Sequence, residues 1–486
     1  MTEEEAQAYA ELAQAYAELK EQLAHKEQRI QEVEGLLMGA LLRIEELERR
    51  LAKDSHNSSL PPSRDHGKRQ PAEPRTRSTR PKGGQSGHPG HTLMQVQAPD
   101  EVITHRPLCC QGCQRDLQQE PGQVLERRQV HDLPALRLQV QEHQLQVICC
   151  PSCQRLTPGT FPEGVNAPVQ YGPRVQAVAV YLSQYQLLPL QRTCEALSDL
   201  CHASISQGTV LTWIAEAASS LEPTCQRITE LLLRSGVLHV DETSLHLGGL
   251  VRWVHVHAST WLTVYRWHPK RGARGIEAVG VIARFTGRAM HDRWSSYDRY
   301  ACTHSVCGAH LIRDAIAVAE QENHPWAQQM VDHLRHMVQV TNHWREQAVR
   351  HLPAYVRDGL LAQYFAILAD GYGTHGAQAP PARKAGRKKQ DPSKNLLDAL
   401  LLRAEQVLGF VDDLSVPFTN NLAERDLRMI KVQQKVSGTF RSPQGVSAFC
   451  TIRSYLSTMR KQGRPLLDAM LAVFAGSPFP IAWAPG

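Results

Sequence analysis

The chain has 486 residues, a net charge of +6, 42% hydrophobic and 21% charged residues. Its length exceeds one simple domain and suits about two to four folded units. The mild basic excess is compatible with a nucleic-acid partner but excludes a histone-like polycation. The opening MTEEEAQAYAEL is acidic and amphipathic rather than a secretory leader, and no apolar run approaches a bilayer span. A cytoplasmic protein with no membrane partner is therefore expected, and doublets and short spacings among its twelve cysteines suit metal binding or a reducing compartment better than disulfides.

In chain order, residues 1–53 carry a heptad repeat. Tyr9, Tyr16, Leu23, Ile30, Leu37, Ile44 and Leu51 occupy one core position, and Leu12, Leu19, Val33, Ala40 and Leu47 the other, interrupted by Lys26. This spacing predicts a coiled coil, and hence a homodimer or higher oligomer, with a helix packed on its own chain as the alternative. Residues 54–99 lose all apolar period and read as a basic flexible linker. Its Arg64, Lys68, Arg69, Arg75, Arg77, Arg80 and Lys82 either lie along phosphates, gaining affinity by counterion release, or form a solvated tether.

Residues 100–165 contain CCQGC and CCPSC, joined by the alternating run LRLQVQEHQLQVI, which reads as strand. Two C-x-x-C knuckles joined by β structure predict a zinc-ribbon-like module with Cys110, Cys113, Cys150 and Cys153 as ligands of Zn²⁺. Cys109 and Cys149 compete for the same roles, and His131 or His105 is an alternative ligand. Residues 166–235 read as helical. Within them Arg192 to Ala218 has a short helix, a turn and a second helix opened by Ser206 or Thr209. That pattern suits a helix-turn-helix-like DNA-binding region, with Arg192 among its DNA contacts.

Residues 236–310 bring the carboxylates. GVLHVDETSLHL is an apolar strand carrying Asp241; LVRWVHVHAS and WLTVYRWHP are further strands, GIEAVGVIARF a helix, and GRAMHDRWSSY a fourth strand leading into Asp292. This order opens an RNase H-like core in which the first and fourth strands are neighbours, so Asp241 and Asp292 converge. Convergent carboxylates call for a hard cation, Mg²⁺ or Mn²⁺. Residues 311–410 read as a helical insertion with a basic loop around Lys388, residues 411–475 as an acidic helix and C-terminal helices, and 476–486 as a tail. In FTNNLAERDLRMIK, Asn420 or Asn421 caps the helix and Glu424 supplies the third carboxylate, with Arg425 and Arg428 beside it. Taken alone, Glu424 and Arg428 are a surface i, i+4 pair. Asp298 rivals Asp292; Glu242 rivals Asp241, but strand alternation turns it to the other face. Cys307 and His310, one helical turn apart, read as a packed helix start or a second metal site.

The ordered set of NSSLPPSRD, GGQSGHPGHT, the paired knuckles, YGPRVQAVAVYLSQYQLLPLQRT, HVDET, CGAHLIRD and NNLAERDLR resembles the transposases of the insertion-sequence-66 family of bacterial mobile elements, along nearly the whole chain. The resemblance implies a DDE transposase with the triad Asp241, Asp292 and Glu424. It also implies transposon-end and target DNA as partners, small accessory proteins from the same element, and a place at the bacterial nucleoid. A nuclease of the same fold without strand transfer, and a catalytically inactive DNA-binding repressor, are the competing readings. The fold expected is thus multidomain α/β: an RNase H-like catalytic core with a helical insertion, preceded by coiled coil, zinc module and helical region.

Overall fold

The computed structural model describes residues 92–322, 324–374 and 391–483, with scattered positions between 25 and 48. The basic linker with Arg75, Arg77 and Arg80, and the loop with Lys388, lie outside the described residues, as does most of the heptad stretch. Its described positions are helical, with Val33, Leu37, Ile44 and Leu47 exposed. Among the described residues no helix is long and apolar enough to cross a membrane. The chain divides into two compact units, one of residues 69–168 with 194–206 and one of the remainder.

In the smaller unit, strand β1 (Val147–Cys149) pairs antiparallel with β2 (Leu156–Pro158). The expected strand through LRLQVQEHQLQVI forms only in its last residues. The reason is the lack of a partner: the preceding stretch is exposed, with Val140 88% accessible, and an unpaired strand leaves its backbone groups to water. No residue from 92 to 168 is buried.

The larger unit is built on a five-stranded sheet of β3 (Val237–Leu247), β4 (Leu250–Ala258), β5 (Thr263–His268), β6 (Arg288–His291) and β7 (Thr303–Val306), in the order β5-β4-β3-β6-β7. The pairs β3–β4 and β4–β5 are antiparallel, while β6 runs parallel to β3 and β7 parallel to β6. The neighbourhood of first and fourth strands read from the sequence is therefore present. The short β7, THSV, has three polar residues before its one valine and so carries no period-two apolar signal in the sequence.

Twelve α-helices are described: α1 (Pro173–Val180), α2 (Leu190–Cys201), α3 (Gln207–Leu232), α4 (Ala273–Val279), α5 (Gly308–Glu322), α6 (Pro325–Glu346), α7 (Ala354–Thr374), α8 (Pro392–Leu402), α9 (Ala404–Asp412), α10 (Asn421–Ser437), α11 (Pro443–Lys461) and α12 (Leu466–Phe474). The helix following the turn at 202–206 runs well past Ala218, through Pro223, because its apolar stripe continues in Leu221, Cys225, Ile228, Leu231 and Leu232.

Alternation along β3 sorts its side chains. Leu238 and Val240 join Val264 and Ala289 against Ile228, Leu231 and Leu232 of α3 and Ile276 of α4. Leu245 and Leu247 face the other way, with Val254, Val256 and Tyr265 against Ala423, Leu427 and Ile430 of α10 and Val446 and Phe449 of α11. The register sets Asp241 opposite Val256, so Asp241 lies on the α10 face of the sheet. Helix α11 also closes the β5 edge: the backbone N–H of Thr263 donates to Thr458 Oγ1 (3.1 Å) and that of Tyr265 to Ser454 Oγ (2.8 Å). An otherwise bare strand edge is thereby satisfied. Helices α5 to α9 form a third core around Trp326, Met330, Tyr364, Leu397 and Val411, which includes Met290 of β6 and Val306 of β7.

One close approach fixes the segment entering α10. The Gly308 N–H donates to Phe418 O (2.9 Å), and a Cβ on Gly308 would meet the Phe418 ring at 2.1 Å. Gly308→Ala should displace that ring and lower stability by about 1–3 kcal/mol, the usual cost of overpacking, read as a shifted urea midpoint.

Candidate active site

Asp292 and Glu424 act electrostatically on the buried Asp241 from the loop after β6 and the first turn of α10, and among the described residues the three acids are not gathered within 4.8 Å of one another. Asp241 lies in mid-β3, Asp292 follows the last residue of β6, and Glu424 lies in the first turn of α10. Burial first, then the negative charges of Glu242, Asp292 and Glu424, push the Asp241 carboxyl well above the usual range, against one lowering hydrogen bond from the Glu242 backbone. That bond is short of nothing in geometry: Glu242 N–H reaches Asp241 Oδ1 at 2.8 Å. Asp292 Oδ1 accepts from the Trp294 N–H at 2.9 Å. The rival Asp298 is instead held by both guanidinium nitrogens of Arg403, at 2.8 and 2.6 Å, and is not among the charges acting on Asp241.

Glu242 points to the opposite face, as alternation requires, yet it is more than a bystander. Its side chain is 1% exposed and accepts from Arg271 Nε (2.9 Å) and from the Tyr297 hydroxyl. Burial nevertheless raises its carboxyl, with Asp292 adding to the rise. The Arg271 guanidinium in turn lies 4.2 Å from the Trp294 ring centroid and 5.0 Å from that of Trp253. Neither Arg271 nor Tyr297 was legible as a site residue, since nothing in RGARG or WSSY announces a carboxylate partner.

The helix cap differs from expectation. Asn420 is the N-cap of α10, but its side chain makes no capping hydrogen bond. Its amide is 2% exposed and ties α10 to β3: Nδ2 donates to Val240 O (2.9 Å) and Oδ1 lies 2.9 Å from His239 Nδ1. Its backbone N–H donates to Cys307 Sγ at 3.2 Å. Satisfying a buried amide outranks a cap that water and the helix itself can replace. The surface Glu424–Arg428 pair that the motif suggests when taken alone is not formed among the described residues. The partners of Glu424 are the Cys307 thiol, 3.6 Å from Oε1, and His310 Nδ1 at 3.9 Å, while Arg425 and Arg428 are exposed. Arg192, on α2, is exposed as well. Asp426 faces inward instead, pairing with Lys461 (3.1 Å) and accepting from Thr263 Oγ1 (3.0 Å).

In the smaller unit the two knuckles are twins. The Cys110 N–H donates to Arg115 O (2.8 Å) and that of Cys150 to Arg155 O (2.9 Å), each turn closing on a left-handed glutamine, Gln114 (φ 59°) and Gln154 (φ 57°). Hydrogen bonds from the backbones of Cys113 and Gly112 hold the Cys110 thiol low, and those of Cys153 and Ser152 do the same for Cys150. Each knuckle is thus shaped to favour thiolate. Among the described residues, the set of three metal-type ligand atoms lying within 4.8 Å of one another is Cys307, His310 and Glu424; the knuckle cysteines are not gathered to that distance.

Two opposed pH dependences follow. Burial lowers His239, His255 and His291 to about 4 and His257 to about 3, from 6.5. A depressed imidazole favours folding above its unfolded value, and this is lost as pH falls from about 6.5 towards 4, because the unfolded chain then binds protons the folded one refuses. The raised Asp241 and Glu242 act in reverse. Each such imidazole contributes a loss of up to about 1.4 kcal/mol per pH unit in that window, and the four together outweigh the offset from the two carboxyls. Urea midpoints should therefore be lower at pH 5 than at pH 7. Asp241→Asn removes a charge that its surroundings oppose, and should raise the neutral-pH Tm by about 2–4 °C for each kcal/mol of repulsion relieved.

With this geometry in place, comparison with known proteins supplies a family. The family model described as Transposase IS66 family matches residues 168–448, more than half of the 486-residue chain. A second, described as a family of unknown function (DUF6444), matches residues 1–94. No curated protein matches the chain. The protein whose sheet carries Asp241 beneath the helix of Glu424 belongs to the IS66 family of transposases.

Proposed function

We propose that this family member is a DDE transposase that binds the terminal inverted repeats of an insertion sequence and catalyses metal-dependent DNA cleavage and strand transfer. Asp241, Asp292 and Glu424 are its catalytic carboxylates, on an RNase H-like core. The observation that carries the reading is the state of Asp241, whose carboxyl is raised by burial and by the charges of Asp292 and Glu424 among others. Carboxylates held together against that cost fit a cation-binding set. The sheet order β5-β4-β3-β6-β7, with acids on the central strand and just beyond its parallel neighbour, supports the RNase H-like reading.

Bound Mg²⁺ or Mn²⁺ would supply activation of water or a 3′-hydroxyl and neutralisation of charge on the phosphoryl group. The three carboxylates serve as ligands rather than proton shuttles. Asn420 holds the start of α10 on β3 and so fixes Glu424 relative to Asp241. Arg425 and Arg428, exposed on α10 beside Glu424, hold phosphate oxygens of the DNA. Arg192, the linker arginines Arg75, Arg77 and Arg80, and Lys388 extend that contact along the duplex. Glu242 is engaged with Arg271 and Tyr297, which leaves it structural.

Residues 100–165 are a zinc module in this reading. With no buried residue from 92 to 168, packing alone gives it little stability, and four thiolates on Zn²⁺ supply what the missing core does not. The exposed heptad residues Val33, Leu37, Ile44 and Leu47 suit pairing with a second copy, which cutting two element ends together requires.

The decisive experiment incubates the protein with labelled element-end DNA and a target plasmid in Mg²⁺ or Mn²⁺. Wild type should cleave and join, and Glu424→Gln should lose about three orders of magnitude or more in rate. Equal activity in the variant would overturn the site; cleavage without joined products would favour a nuclease, and binding without cleavage a repressor. Separately, Cys110→Ser should lower the zinc content of the purified chain, with unchanged content counting against the module.

A further inference from the structure

We propose that Cys307, His310 and Glu424 form a second cation site, selective for a thiophilic divalent ion such as Zn²⁺, and that its occupation withdraws Glu424 from the catalytic carboxylates. The three ligand atoms already lie within 4.8 Å of one another. Cys307 Sγ is 3.6 Å from Glu424 Oε1, and His310 Nδ1 is 3.9 Å from the same oxygen. Around a tetrahedral zinc with bonds of about 2.3 Å to sulfur and about 2.0 Å to nitrogen and oxygen, those separations would be about 3.5 and 3.3 Å. The sulfur and oxygen are thus at ligand spacing, and the imidazole must close on that oxygen by roughly half an ångström.

Two further observations point to a ligand. His310 Nδ1 is buried without a hydrogen-bond partner, a costly arrangement that a cation would relieve. Cys307 Sγ accepts the Asn420 backbone N–H at 3.2 Å, the kind of bond that stabilises a thiolate on a metal. The donor set itself selects the ion. Magnesium takes oxygen ligands, whereas a thiolate and an imidazole suit zinc. Binding displaces the thiol proton to solvent, leaving the thiolate, the imidazole and one carboxylate oxygen as ligands and a fourth position open to water. Glu424 belongs to both sets, so zinc opposes catalysis. Zinc binding stands without the catalytic reading of Glu424; the inhibition rests on it.

The test uses the full-length chain, its His310→Ala variant and its Cys307→Ser variant, each loaded with zinc chloride, dialysed and counted for metal without DNA. Melting in chelator identifies variants that fold, and His310→Ala serves if Cys307→Ser does not. Each folded variant should hold one zinc equivalent fewer than wild type, and cobalt chloride should give a weaker thiolate–cobalt absorption in Cys307→Ser. Equal zinc counts would overturn the site. Cleavage at fixed Mg²⁺ then compares each protein with its own zinc-free rate. Wild type should be inhibited at a zinc concentration about tenfold or more below that needed for His310→Ala. A lost equivalent with equal zinc sensitivity would overturn the competition for Glu424. If Glu424→Gln cleaves normally, the catalytic reading falls while the zinc counts still decide the site.

Discussion

The arrangement depends on one buried amide. Asn420 spends its side chain on β3, through Val240 O and His239, and its backbone N–H on Cys307. Three segments far apart in sequence, a central strand, the start of α5 and the start of α10, are fixed by hydrogen bonds to one residue. A buried amide with all its bonds made is stable, while one left partly unpaired costs far more than a lost surface contact. The position of Glu424 one turn later is therefore a consequence of how Asn420 is satisfied.

The rest of the larger unit supports that junction from behind. Tyr265 fills the core beneath α10 and its hydroxyl donates to Asp426 O (3.2 Å), while Lys461 and Thr263 hold the Asp426 carboxylate. The carboxylate two residues after Glu424 thus anchors the helix, and Glu424 is left to the Cys307 thiol and His310. Opposing this order is the charge gathered on Asp241, so the unit combines a rigid scaffold with a locally unfavourable centre, a common signature of functional sites.

Much of this was legible in the sequence. Period-two runs gave strands around Asp241, and the order of strands and helix implied that β6 returns beside β3. Both follow from local pattern and chain geometry. The destination of Asn420 was not legible, because a cap and a cross-element amide bond use the same residue at the same position. The Arg271–Glu242–Tyr297 contact was equally hidden, since its members lie on three segments and only the folded sheet brings them together. The strand expected between the cysteine knuckles failed for the complementary reason: alternation records which residues suit a sheet, but not whether a partner strand exists to receive them.

The stacking of Arg271 against Trp294 has an optical consequence. Trp294 donates its backbone N–H to Asp292 while its indole lies 4.2 Å from a guanidinium that also grips Glu242. An emitting ring is therefore wired to two of the acids that act on Asp241, and any change in their charge or position alters its surroundings. Among the chain's eight tryptophans, the emission lost in a Trp294→Phe variant is the part that reports on the acidic centre.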